Sequence, residues 1–325
     1  MNNTLKISSI ADLPKLLEVC IEHLNDAILI TEAEPINSPG PKIVWANKAF
    51  YEHNGYTPNE IIGQSPRILQ GPESDRATID RIGVALKTWR PIRVEMLNYR
   101  KDGSTYWNEF EIVPVKNEKG WYTHWVSVQR DITERKQIQQ QIHQLAFYDM
   151  LTKLPNRYLL RDRLNQAMST SKRNGLYGAL LFLDLDNFKS INDQYGHTAG
   201  DLLLVEVANR MTACVRDMDT VARFGGDEFV IVLCELDKNK DTAKLRASIV
   251  AEKICTTLDN PYRLKLNLEE NQDDIVEHHC TASIGVTLFI ADQASEKDIF
   301  KWADDAMYEA KEAGRNLVRF YEATA

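Results

Sequence analysis

The sequence has no CxxC pair, no basic cluster and no long apolar run, and each absence removes a class of function. Its five cysteines (Cys20, Cys214, Cys234, Cys255, Cys280) are odd in number and widely spaced, so reduced thiols in mostly apolar neighbourhoods are expected rather than a disulfide framework. A formal net charge of −8 argues against a nucleic-acid surface, because duplex binding clusters Lys and Arg against phosphates. A small anionic substrate would then need metal ions or local cations. No apolar run approaches the roughly 20 residues that span a bilayer, and Met1 to Ser9 lacks the basic start and apolar core of a cleavable signal. The expectation is a soluble, cytoplasmic protein with neither a membrane nor a nucleic acid as partner.

What is present reads as two α+β domains, in keeping with 325 residues. Leu13, Leu16, Leu17, Cys20, Ile21 and Leu24 recur at helical spacing and predict an N-terminal amphipathic helix within 1–24, its apolar face packed on the first domain. From 25 to 133 the pattern turns to short strands and turns. AILITEA and KIVWANKAF come first, and three longer β-rich runs come after them, ending in WYTHWVSVQRDIT, which suggest an antiparallel meander. Residues 134–147 lack Gly and Pro, and Ile138, Ile142 and Leu145 alternate spacings of four and three, the seam of a short coiled coil joining two copies. From 148 to 325, strands and helices alternate, and the last helix is expected over Glu296 to Ala313.

Chemistry concentrates in the second half. The apolar strand ALLFLDLD ends in Asp184 and Asp186, which a period of two points to one face. About 40 residues on, a hairpin carries Gly225 and Gly226 into Asp227 and Glu228; paired glycines allow a tight turn and let a bulky ligand approach the backbone. If the two strands lie side by side, Asp184 and Asp227 converge. Clustered carboxylates repel one another, and the cluster becomes favourable when hard divalent cations join it to substrate phosphates. Phosphoryl transfer is the reaction class this chemistry implies.

These residues resemble the GGDEF family of diguanylate cyclases. RFGGDEF at 223–229 is its signature, and DMLTKLPNR at 149–157, FLDLDNFKSINDQYGHTAGD at 182–201 and YEAKEAGRN at 308–316 support it across nearly the whole second domain. The resemblance implies a ferredoxin-like core holding one GTP, with two domains meeting in a homodimer to make cyclic di-GMP. It implies Mg²⁺ or Mn²⁺ held by Asp184, the Leu185 carbonyl, Asp227 and Glu228, with Asp227 or Glu228 taking the proton from the attacking hydroxyl. It assigns guanine to Asn192 and Asp201, and substrate contacts to His197, to backbone amides near Asn187, Phe188 and Lys189, and to Lys311 and Arg315, one helical turn apart. Arg216 and Asp219 form the RxxD pattern where the family places product inhibition. The alternative is a catalytically silent module that receives cyclic di-GMP or acts as a dimeric scaffold.

The first half resembles a PAS domain through Asn98, Tyr99, Lys101, Gly103, Trp107, Asn108, Pro114 and the closing Asp131-Ile132-Thr133. More narrowly, Asn98, Asn108 and Gln129 match the amides that contact flavin in LOV photoreceptors, and GQSPRILQGPESDRAT resembles the segment bearing their reactive cysteine. Here Pro66 stands at that position, so no flavin–cysteinyl adduct can form. Ser65 replaces an Asn and Gly83 an Arg, while Arg67 and Gln70 remain. FMN, another small ligand or an empty core all stay open, and haem is disfavoured because Asp75 to Trp89 contains no His.

Overall fold

The computed structural model describes residues 13–269, 272–290 and 293–322. Two compact units divide at Gln140/Gln141.

In the first unit, α1 (Leu13–Glu22) precedes β1 (Ala27–Glu32), β2 (Ile43–Ala46), α2 (Lys48–Asn54), α3 (Pro58–Ile61) and α4 (Arg76–Lys87). Three long strands come next, β3 (Ile92–Tyr99), β4 (Thr105–Lys116) and β5 (Tyr122–Asp131), and then α5 (Thr133–Phe147). The expected meander is there: β3, β4 and β5 pair antiparallel, β5 returns beside β1, and the sheet order is β2-β1-β5-β4-β3. Leu29, Ile43, Phe50, Ile61 and Leu69 make one core cluster, and Val94, Met96 and Phe110 another.

The N-terminal helix departs from expectation. Residues 1–12 of the predicted 1–24 segment, including the stretch read for a signal, lie outside the described residues, and α1 itself has no buried residue. Among the described residues it is tied at its end, where Asn47 Nδ2 donates to Ile21 O (3.0 Å) and Lys48 N to Glu22 Oε2 (3.1 Å), and Leu13, Leu16 and Leu17 stay about half exposed.

The second unit begins within α5. After it come α6 (Arg157–Asn174), β6 (Gly178–Leu185), α7 (Phe188–Tyr195), α8 (His197–Thr212), β7 (Thr220–Gly225) and β8 (Glu228–Leu233). The chain continues through α9 (Lys240–Leu258), a separate hairpin of β9 (Tyr262–Glu269) and β10 (Gln272–His278), β11 (Ala282–Phe289), α10 (Glu296–Glu312) and β12 (Val318–Phe320). The sheet order β12-β11-β6-β8-β7, antiparallel except for β11 with β12, contains the β11-β6-β8-β7 arrangement of a ferredoxin-like core.

Period two explains the layering. Leu181 and Leu183 of β6, with Phe229 and Ile231 of β8, pack against α8 and α9 through Leu203, Val207, Ala247 and Ile254. Leu180, Phe182, Val230 and Val232 pack on the opposite face against Leu160 and Leu164 of α6 and Ile299, Ala303 and Met307 of α10. Even-numbered positions of β6 and β8 therefore look toward α10, and that parity places the site.

Candidate active site

Asp184 and Glu228 continue the even-numbered rows just past the apolar core, and they are direct partners in the β6–β8 register. Lys311, in the last turn of α10, meets them from the helix layer, with Nζ 2.8 Å from Asp184 Oδ1. Asp227 sits between Gly226, at φ +51°, and the start of β8, and its carbonyl accepts from Leu185 N (3.3 Å). Asp227 and Glu228 are half-buried rather than fully exposed at the turn.

The electrostatics are those of crowded acids. Burial pushes the Asp184 carboxyl above the usual carboxylate range, Asp227 and Asp186 push the same way, and Lys311 opposes them. Glu228 is raised by burial, then by Asp184, Asp227 and Asp304. Among the described residues no three His, Cys, Asp or Glu side chains form a group ready to hold a metal alone. The donor set nonetheless suits Mg²⁺, which binds through one or two carboxylates and completes its shell with substrate phosphates and water: Asp184 and Glu228 face each other, and the Leu185 carbonyl ends β6 beside them.

Asp186 has another task. β6 ends at Leu185, so the expected alternation does not carry Asp186 to the site. It is 5% exposed and accepts from Thr281 Oγ1 (2.7 Å), Ser283 Oγ (2.7 Å) and Asn316 N (3.1 Å). A buried carboxylate satisfied three times is an anchor, here pinning the start of β11 and the turn after α10 to the end of β6. Its signal in the sequence was the pair of hydroxyls in TASIGVTLF.

The other candidates divide into two places. Asn187, at φ +59°, precedes α7, whose first N–H groups (Phe188, Lys189) have no acceptor within the helix. Asn192 lies half-buried on α7 and fills the space above Gly200 of α8, where an added Cβ would come within 2.1 Å of Asn192 Oδ1. His197 and Asp201 are exposed in the first turns of α8. Arg315 corrects the sequence reading: α10 stops at Glu312, Gly314 takes φ +120°, and Arg315 sits at φ +64° in the turn beyond. Lys311 and Arg315 therefore do not share a helix face.

Arg216 and Asp219 lie between α8 and β7, on the edge of a cleft of about 710 Å³ that Arg163 and Thr170 of α6 also line. Asp219 Oδ2 accepts from Arg216 N (3.1 Å) and Oδ1 from Cys234 N (2.9 Å), which fixes the turn. The Arg216 side chain is exposed.

In the first unit, a cavity of about 120 Å³ is lined by Leu69, Ile79, Met96, Asn98, Trp125 and Gln129, among others. Asn108 Nδ2 donates to Gln129 Oε1 (3.0 Å) and Gln129 Nε2 to Ser127 Oγ (3.3 Å). Asn98 Oδ1 and Asn108 Oδ1 are buried without a hydrogen-bond partner.

Comparison with known proteins agrees with this division. Residues 146–317 match the family described as diguanylate cyclase, GGDEF domain, and residues 25–134 match the PAS domain. The chain is 45% identical over 181 residues to the bifunctional diguanylate cyclase/cyclic di-GMP phosphodiesterase MucR of Pseudomonas aeruginosa, covering 56% of this chain and 24% of that protein. It is 28% identical over 308 residues to the probable diguanylate cyclase DgcE of Escherichia coli, covering 94% of this chain and 26% of that protein. The chain thus spans about a quarter of the length of these curated relatives. Among solved structures, the GGDEF domain of TpbB (YfiN) from Pseudomonas aeruginosa is 36% identical, covering 54% of this chain and 94% of that one, with a TM-score of 0.47. Among the described residues no helix is long and apolar enough to cross a membrane.

Proposed function

The chain belongs to the diguanylate cyclase GGDEF-domain family, and from that premise we propose that it condenses two GTP molecules into cyclic di-GMP and two diphosphates. The observation that carries the reading is the Asp184–Glu228 pair facing across β6 and β8 with the Lys311 ammonium 2.8 Å from Asp184. Asp184, the Leu185 carbonyl, Asp227 and Glu228 would hold Mg²⁺ or Mn²⁺. A metal there supplies charge neutralisation for the triphosphate and eases ionisation of the attacking 3′-hydroxyl.

The residues of the chain do the rest. Lys311 and Arg315 bind phosphate oxygens together with the amides of Asn187, Phe188 and Lys189 at the start of α7. Asn192 and Asp201, with His197 beside them, address the guanine edge, where an amide and a carboxylate together distinguish it from adenine. Asp227 or Glu228 accepts the hydroxyl proton. Since each domain offers one nucleotide site, turnover needs a homodimer, for which the exposed Ile138, Ile142 and Leu145 of α5 are the seam. Arg216 and Asp219 bind the product and inhibit.

For the PAS domain, the unpartnered Asn98 Oδ1 in the cavity wall supports a small ligand with an N–H or O–H donor and an apolar body. A visible spectrum of the purified protein separates a flavin or a haem from a colourless ligand. The decisive experiment for the activity is incubation with GTP and Mg²⁺ followed by chromatography of the nucleotides, with and without light. GTP left unconverted by the dimer in every condition removes the cyclase reading and leaves the receptor or scaffold.

A further inference from the structure

Phe147 ends α5, and the residues after it fold back onto that helix end. Asn156 reaches it twice, donating its N–H to Phe147 O (2.9 Å) and Nδ2 to Ala146 O (2.9 Å). Its Oδ1 meanwhile caps α6 by accepting from Tyr158 N and Leu159 N. One side chain thus joins the end of one helix to the start of the next.

The same loop grips the catalytic turn. Asp149 Oδ1 accepts from Thr152 N (2.8 Å) and Thr152 Oγ1 (2.7 Å), and both carboxylate oxygens accept from Arg223 Nη1 (3.1 and 3.2 Å). The other two nitrogens of Arg223, Nε and Nη2, both donate to Gly226 O, at 2.9 and 2.7 Å, and Arg223 N donates to Pro155 O (3.0 Å). The pair is well covered, with side-chain exposures of 14% and 24%.

A Gly-Gly turn has more backbone freedom than any other pair of residues. A planar guanidinium holding one carbonyl from two nitrogens removes that freedom, because it fixes the peptide plane that leads from Gly226 into Asp227. Asp149 in turn fixes the guanidinium. We infer that Asp149 and Arg223 are positioning residues that tie the carboxylate-bearing turn of Asp227 and Glu228 to the loop folded against the end of α5. The inference rests on the cyclase reading for its consequence, though not for its geometry.

Three full-length variants test it. Asp149→Asn retains an acceptor for Thr152 but loses the charge on the guanidinium; Arg223→Lys keeps charge but loses the fork; Asp149→Glu restores the charge. The first two should lower kcat at least about tenfold, as expected when reacting groups are misaligned, with KM for GTP within about twofold and the melting temperature near that of the parent. Asp149→Glu should recover part of the rate. Hydrogen exchange should quicken in the peptide covering 223–228 of Asp149→Asn, with 282–289 in β11 unchanged. Unaltered kcat together with unaltered exchange overturns the inference while leaving the cyclase reading intact, and so does a uniform rise in exchange across the sheet, which marks a purely structural pair. If the parent makes no product, the exchange experiment still decides the positioning role.

Discussion

Lys311 Nζ and Asp184 Oδ1 stand 2.8 Å apart, joining the last turn of α10 to the end of β6. Burial first, and then two acidic neighbours, still hold the Asp184 carboxyl above the usual carboxylate range, and the ammonium offsets only part of that rise. On the proposed function it must also reach a triphosphate, so it exchanges one anion for another as substrate binds. A hydrogen bond to a charged group is worth about 1.5–3 kcal/mol, which corresponds to roughly 10–100-fold in affinity. Because the contact with Asp184 is given up in exchange, Lys311→Met should raise KM for GTP by at most about that factor in steady-state assays. An unchanged KM would place the ammonium in a structural role only.

Glu228 gives a prediction with a definite sign. Its folded pKa is raised, by burial first and then by Asp184, Asp227 and Asp304. Between the ordinary value of 4.5 and the raised one, the native state binds more protons than the unfolded state, so stability falls as pH rises through that window. Neutralisation by Glu228→Gln should stabilise the fold at neutral pH by about 0.5 kcal/mol, a small figure because solvent screens a half-buried group, or roughly 1 °C in melting temperature. The gain should vanish below the ordinary pKa, and Mg²⁺ should stabilise the parent more than the variant. Calorimetric scans from pH 4 to 8 check both, and a gain that grows on acidification contradicts the assignment.

The sequence made the site legible where local geometry and chemistry coincide. Asp184 ends an unbroken apolar strand and Asp227-Glu228 come directly after a Gly-Gly pair, so strand parity and turn chemistry both pointed to them. Asp186 was less legible: nothing local says that β6 ends one residue earlier, and its partners Thr281, Ser283 and Asn316 lie 95 or more residues away. Arg315 was misplaced because the spacing from Lys311 fits a helix, whereas Gly314 ends it. The outward-facing leucines of α1 show an amphipathic pattern without burial.

Two glycines separate substrate binding from folding. An alanine Cβ at Gly200 would meet Asn192 Oδ1 at 2.1 Å, the end of a flexible side chain that can swing away. At Gly285 it would meet Ala303 O at 2.0 Å and Met307 N at 2.2 Å, the backbone of α10 packed on β11. Gly200→Ala should fold and, on the proposed function, show a raised KM for GTP, because Asn192 would be turned from the base. Gly285→Ala should lose about 3 kcal/mol or fail to fold, the usual cost of overpacking a core. Kinetics and thermal unfolding of the two variants test the contrast; equal KM in Gly200→Ala and the parent would remove Asn192 from guanine recognition.

Arg216 and Asp219 should respond differently, although both belong to the proposed product site. Both oxygens of Asp219 already accept from backbone N–H groups, those of Arg216 and Cys234, so Asp219→Ala leaves donors unpaired and costs about 1–3 kcal/mol. The exposed Arg216 guanidinium is free to fork onto a guanine edge or a phosphate. Arg216→Ala should therefore raise the cyclic di-GMP concentration needed for half-inhibition at least about tenfold, and leave the melting temperature in place. Asp219→Ala should weaken inhibition and lower the melting temperature together. Initial rates against added cyclic di-GMP, paired with thermal scans, distinguish the two, and undiminished inhibition in Arg216→Ala moves the regulatory site elsewhere.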